Sequence, residues 1–229
     1  MLQSTNKKKI YFYLASFLFI TTIFNNNLIK YLESTVKISE IKIENTKKEI
    51  DHIIVSNTNF LLDKNIFSIN KKLLLEKLKK LNFIESISIK KEYPSTINIK
   101  TKVTSLIAIT YIDQKKYYVG QNGNFISEKK ISNEKQLPII FGKFNVDDYI
   151  LLQKKLLNQK IDLNEVIKYY FHKNKRWDLY LKNNILIQLP QKKIDSAINL
   201  YKQFKINNKI NPNAIIDLRI SNRLIFKNG

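Results

Sequence analysis

The chain has 229 residues, with 40 basic against 19 acidic side chains and a net charge of +21. That length suits one membrane anchor plus one or two small domains, and a hydrophobic content of 44% excludes wholesale disorder. No Cys, four Gly and two widely separated histidines, His52 and His172, exclude a disulfide framework, a thiol nucleophile, Cys-ligated zinc and the glycine-rich phosphate loops.

Such a charge ordinarily points to nucleic acid or an anionic membrane surface. Here 37 Lys, 37 Ile and 27 Asn, all served by A/T-rich codons, stand beside only three Arg: Arg176, Arg219 and Arg223. Drift toward A/T replaces Arg by Lys with no partner selecting for charge. Arg is also the better fork for phosphate, so no nucleic-acid partner is expected.

Lys7-Lys8-Lys9 precedes an uncharged run, IYFYLASFLFITTIF, from Ile10 to Phe24. As a helix it covers roughly 22 Å, short of the roughly 30 Å hydrocarbon core. Snorkelling lysines and the interfacial Tyr11 and Tyr13 extend that reach. A cleaved signal peptide, an uncleaved signal anchor and a buried soluble helix compete for this segment. The following NNNLIKYLES offers no persuasive small-x-small cleavage site, and the run has no polar face. The expectation is an anchor over residues 10–32 that places Ile10, Tyr11, Phe12, Leu14, Phe17, Leu18, Phe19, Ile20, Ile23 and Phe24 in the bilayer. The lysines then keep the tail 1–9 in the cytoplasm and send the rest across.

Residues 38–44 alternate apolar and polar, with Ile41 and Ile43 on one face of a strand. Thr46 to about Asn57 has helical spacing through Ile50, Ile53 and Ile54. Asn65 to Ile69 reads as short and extended. Asn70 then suits the N-cap of a helix whose Leu74, Leu78 and Leu81 form one stripe. Two alternating runs follow, Glu85 to Lys91 and Thr96 to Val103, joined tightly at Tyr93-Pro94-Ser95. The order strand, helix, helix, strand, strand is that of the small POTRA module. LNFIESISIKKEYPSTINI, Leu81 to Ile99, together with NIFSIN, Asn65 to Asn70, resembles the bacterial cell-division family FtsQ/DivIB, which carries this module. Phe83-Ile84 stand for the family's Trp-Val, Lys90-Lys91 for its basic pair and Tyr93-Pro94 for its Trp-Pro. The family's Glu and Pro just beyond fall on Val103 and Leu106, and Asn82 replaces the Pro before the aromatic.

From Leu106 onward strands dominate: LIAITYI, KKYYVG and NFIS, with a turn at Gln121-Asn122-Gly123. Leu137 to Gly142 resembles the family's Leu-Pro-x-Leu-x-Gly. Asp147 to Leu157 is a predicted helix. Leu163 to Phe171, Trp177 to Leu181 and Ile185 to Leu189 are predicted strands, the last two forming a hairpin around Lys182-Asn183-Asn184. Ile194 to Phe204 reads as helix, and Ile216-Asp217-Leu218-Arg219 resembles the family's closing Val-Asp-Leu-Arg. The expected fold is α+β: an anchor helix, a POTRA-like domain over 36–104, and a mostly antiparallel β domain with flanking helices over 105–229.

No constellation for catalysis stands out. Asp147 and Asp148 are neighbours whose side chains diverge and suit a helix N-terminus. His172 has no readable acid to orient it as a base, and Trp177 fits a strand's core face. Asp217 and Arg219 share a strand face and can pair. No enzyme activity, cofactor, metal or small-molecule substrate is expected. Residues 216–227 read as a last strand whose free edge can accept a strand from another chain. The resemblance implies that FtsB/FtsL-type division proteins dock there, on Arg219, Ile220, Ser221, Asn222, Arg223, Leu224, Ile225 and Phe226. It also implies recruitment of other divisome proteins through the POTRA-like module, a periplasmic location and a place at the septum. Another POTRA-bearing envelope assembly or chaperone-like module is the first alternative, and a nucleic-acid-binding basic protein the more remote one.

Overall fold

The computed structural model describes residues 7–22, 26–45, 48–131 and 136–228. The chain is α+β and forms two compact units. One comprises Met1–Glu44, His52–Glu76 and Ser88–Lys100; the other comprises Asn45–Asp51, Lys77–Ile87 and Thr101–Gly229.

The first unit begins with α1 (Lys7–Thr22) and α2 (Asn26–Thr35). The apolar side chains of α1 are exposed on all sides: Tyr11, Phe12, Leu14, Phe17, Leu18, Phe19 and Ile20 are each more than half exposed, and Ile10 is 44% exposed. Of the anchor residues, Ile23 and Phe24 lie outside the described residues, as does Thr46 at the head of the next predicted helix. Among the described residues no helix is long and apolar enough to cross a membrane.

The module that follows runs β1 (Glu40–Asn45), α3 (Asp51–Thr58), α4 (Lys71–Lys79), β2 (Ile84–Glu92) and β3 (Thr96–Val103), in the sheet order β1-β3-β2. The predicted order of elements is thus present. β3 alternates as a half-buried strand must, with Ile97, Ile99, Thr101 and Val103 inward. Asn70 caps α4 as expected, its Oδ1 accepting from the N–H groups of Lys72 at 3.0 Å and Leu73 at 3.3 Å. Leu74 and Leu78 of the predicted stripe are buried; Leu81 lies beyond the helix end and is half-buried. One expectation is corrected here. Residues 66–68 form a 3-10 turn rather than an extended segment, because Asn65 Oδ1 accepts from Phe67 N–H at 2.8 Å and bends the chain back.

The second unit holds β4 (Leu106–Ile112), β5 (Lys115–Gly120), β6 (Phe125–Ser127), β7 (Ile139–Phe141), α5 (Val146–Asn158), β8 (Val166–Phe171), β9 (Trp177–Leu181), β10 (Leu186–Gln188), α6 (Ile194–Asn207), β11 (Ile215–Asp217) and β12 (Ile225–Lys227). The strands make a nine-stranded sheet in the order β12-β11-β10-β9-β8-β7-β4-β5-β6. Five of the eight pairings are antiparallel; β10–β11, β4–β7 and β7–β8 are parallel. The predicted strand from Leu163 is shortened at its start: Asp162 Oδ1 accepts from Asn164 N–H at 2.9 Å, and 163–165 coil into a 3-10 turn.

Tyr149, Leu152 and Leu156 of α5, with Ala197, Ile198 and Tyr201 of α6, join the sheet residues Ala108, Ile140, Tyr169, Trp177, Ile187 and Ile216 in one core. Tyr149, Tyr169 and Trp177 contact one another as an aromatic cluster, with ring centroids 5.0 to 6.3 Å apart. Burial pushes the Tyr149 and Tyr169 hydroxyls far above the usual phenol range, so neither serves as a base at neutral pH. Gly142, the last residue of the Leu-Pro motif, has φ +98°, and a Cβ there would run into the Phe171 carbonyl oxygen. Only glycine meets both demands.

Candidate partner-binding site

β10, α6 and β11 form a parallel crossover, and β12 then folds back antiparallel on β11, with Ile216 opposite Phe226 and Asp217 opposite Ile225. β12 therefore ends the sheet, with β11 as its one neighbour among the described strands. The predicted continuous strand over 216–227 is corrected: it is two short strands separated by a turn. Leu218 still extends the ladder, donating its N–H to Gln188 O at 2.9 Å. Beyond it the chain leaves the sheet. Arg219 N–H and Nε–H both donate to Asp217 Oδ1, at 2.9 and 2.8 Å, and Nη2 donates to Oδ2 at 2.6 Å. Hydrogen bonding from Arg219 holds the Asp217 carboxyl below its usual range, and the carboxylate raises the guanidinium in turn. The turn closes through Arg223 N–H to Ile220 O at 3.1 Å, with Asn222 at φ +58°.

The eight predicted contact residues fall into two groups. Leu224 and Phe226 are half-buried against the core, and Phe226 packs on Phe204 of α6 with ring centroids 5.1 Å apart. Arg219, Ile220, Ser221, Asn222, Arg223 and Ile225 are exposed. The expected Asp217–Arg219 pair is present. The turn also walls one side of a cleft of about 590 Å³, whose other side is residues 190–193 and the first half of α6. Sequence reading missed this cleft, which appears only when the crossover brings α6 beside the turn. Lys192, Lys193, Arg219 and Arg223 line it, and among the described residues no acidic side chain does.

The opposite end of the sheet is different. Asn82 Nδ2 donates to the Phe125 carbonyl of β6 at 2.6 Å, and the Asn82 carbonyl accepts from Asn122 Nδ2 at 3.0 Å. The residue replacing the family's Pro thus occupies an edge carbonyl. His172 has an acid after all: its Nε2 lies 2.7 Å from Oδ2 of the buried Asp178, which also accepts from Arg176 Nη2 at 3.2 Å. The cluster spans the β8–β9 turn, where His172 N–H donates to Arg176 O, and it fixes that hairpin. Asp147 and Asp148 occupy the first turn of α5, as predicted, and Asn145 caps that helix. Among the described residues no cluster of three or more His, Cys, Asp or Glu is placed to hold a metal.

Two family models match this chain: "POTRA domain, FtsQ-type" over residues 36–102, and "Cell division protein FtsQ/DivIB, C-terminal" over residues 108–219. The chain belongs to the FtsQ/DivIB family of cell division proteins. It is 25% identical over 149 residues to cell division protein FtsQ of Rhizobium radiobacter, covering 64% of this chain and 71% of that protein. Against FtsQ of Rickettsia typhi it is 27% identical over 194 residues, covering 82% and 71%. Against that of Rickettsia prowazekii it is 29% identical over 160 residues, covering 69% and 60%. Among solved structures it is similar to the major extracytoplasmic domain of the trans isomer of DivIB from Geobacillus stearothermophilus. The two are 14% identical, with a TM-score of 0.29 over 46% of this chain and 98% of that one. The FtsQ-type models meet near residues 102–108, which lie within the second unit.

Proposed function

We propose that this FtsQ-type chain is a non-enzymatic scaffold of the division septum, held in the inner membrane by residues 10–32 with the bulk of the chain in the periplasm. The POTRA-like module, residues 36–104, recruits it to other divisome proteins. The C-terminal β domain, residues 105–229, holds FtsB/FtsL-type bitopic partners and so links early and late division proteins. The observation that carries this reading is the open edge at β12. Its outward backbone groups can pair with an added strand. Beside it lies a cleft lined by Lys192, Lys193 and Arg223, with Arg219 already paired to Asp217, which suits an acidic stretch of the same partner. Arg219 and Ile220 begin the exposed turn between the two, and Ile225 lies on the edge strand itself.

Binding of the full chain, in detergent or nanodiscs, to an FtsB–FtsL pair tests the reading. Ile220→Glu, Arg223→Glu and Ile225→Glu alter exposed side chains and should leave the melting transition unchanged. Each is expected to weaken binding about tenfold, while Lys209→Glu, a charge change elsewhere at least as large, should not. Undiminished binding by all three variants would sink the assignment of the partner to this edge.

A further inference from the structure

Phe67 and Tyr93 stack on the surface of the first unit, with ring centroids 5.0 Å apart and planes 20° from parallel. They are 64% and 60% exposed. Together the two rings make an exposed apolar patch on this unit. Their place in the fold points to what covers them. Phe67 belongs to the turn at 65–68, and that turn is tied to the chain leaving α2: Ile66 N–H donates to Val36 O at 2.9 Å, and Lys37 bridges Asn65. Tyr93 belongs to the β2–β3 turn, which is tied to the same segment. Ser39 N–H donates to Ser95 O at 3.0 Å, and the two hydroxyls meet at 3.0 Å. Both aromatic turns are therefore bonded to Val36–Ser39, immediately after α2 ends at Thr35. Tyr31 and Leu32, in the last turns of α2, are 68% and 53% exposed.

We propose that the Phe67–Tyr93 pair is an interfacial foot, seated in the headgroup region of the bilayer that α1 enters. This rests on the reading of residues 10–32 as an anchor. Only the residues from 33 to 36 separate the end of that span from the hydrogen bond that holds the first turn. A stacked Phe–Tyr pair has the amphipathic character that suits the membrane–water boundary. Lys64, Lys71, Lys72, Lys90 and Lys91 flank the two aromatics in sequence, against Asp63 and Glu92, a balance that favours anionic headgroups. The foot would fix the tilt of the first unit on the membrane instead of letting it swing on its anchor.

The absence of Cys makes a single introduced thiol a unique label site. The full chain would be reconstituted in phosphatidylcholine–phosphatidylglycerol vesicles with a fluorophore at Ser68→Cys, beside the pair, at Leu14→Cys in α1, or at Ile206→Cys on the second unit. The expected result is blue-shifted emission at position 68, quenched by lipids brominated near the headgroup and restored toward the aqueous value by Phe67→Ser with Tyr93→Ser. Position 206 should read as aqueous throughout. A quenched label at Leu14 with an aqueous one at Ser68 would overturn the foot and leave the anchor standing. Aqueous readings at both would overturn the anchor, and the foot with it. A blue-shifted label at Ser68 that brominated lipid does not quench would mean that protein, not lipid, covers the pair, and would also overturn the proposal.

Discussion

At Asn65, Asp162 and Asp217 a short polar side chain accepts a hydrogen bond from the N–H two residues on, that of Phe67, Asn164 and Arg219 respectively. Each time the chain departs from the extended form that its apolar alternation suggests. Periodicity measures which face is wet; it does not register a side chain competing for the backbone. These three positions account for the three places where predicted strand became turn. At Asp217 the same contact has a pH signature. Its folded pKa lies below the ordinary 3.8, so the stabilisation is complete above that value and is lost as pH falls through the lower, folded one. Arg219 is 45% exposed, and screening limits the pair to about 1 kcal/mol or less. Urea denaturation of Asp217→Asn should therefore show a deficit of that size at neutral pH, closing as the solution is acidified below the ordinary carboxylate value. A deficit that persists unchanged in acid would assign the effect to packing.

Elements with one wet face were legible. β3, β4, β5 and β9 coincide with the predicted runs to the residue, and α4, α5 and α6 are recognised with C-terminal ends one to three residues off. What could not be read was which strands are neighbours. β4 pairs with β7 in parallel across the segment that contains β5 and β6, and nothing in a strand's own alternation names a partner that far along the chain. The cleft was illegible for the same reason, since it depends on α6 lying beside a turn more than ten residues later. α6 also starts oddly. Its N-cap residue, Lys193, sits at φ 58° with no side-chain cap bond. A left-handed lysine costs roughly 1 kcal/mol relative to glycine there. Lys193→Gly is expected to raise unfolding stability by about that amount in chemical denaturation while removing one of the cleft's four cations. The variant should be more stable and bind an acidic partner less well. A loss of stability would show that the lysine stem packs where glycine cannot.

For the molecule as a whole, the two compact units divide the chain unlike the sequence boundaries. Residues 77–87 and 101–104, read as POTRA-like, group with the C-terminal sheet. Asn82 shows one reason. It lies between α4 and β2, yet its amide reaches the Phe125 carbonyl at the β6 end of the large sheet. Asn82→Ala should lose about 1 kcal/mol of stability, the worth of a hydrogen bond. In detergent it should also begin to self-associate with rising concentration, an association that Ile225→Lys on β12 should suppress. Sedimentation that stays monomeric at every concentration would count against an edge role for Asn82. A sheet open at both ends can join its last strand to the first strand of the next copy, and repetition of that heterologous contact makes a filament. With one end occupied by a side-chain amide, extension runs in one direction and stops after a single addition. If β12 takes a guest strand as proposed, the bond at Asn82 acts as a chain terminator, because it leaves the Phe125 carbonyl at the other end unavailable to a second copy.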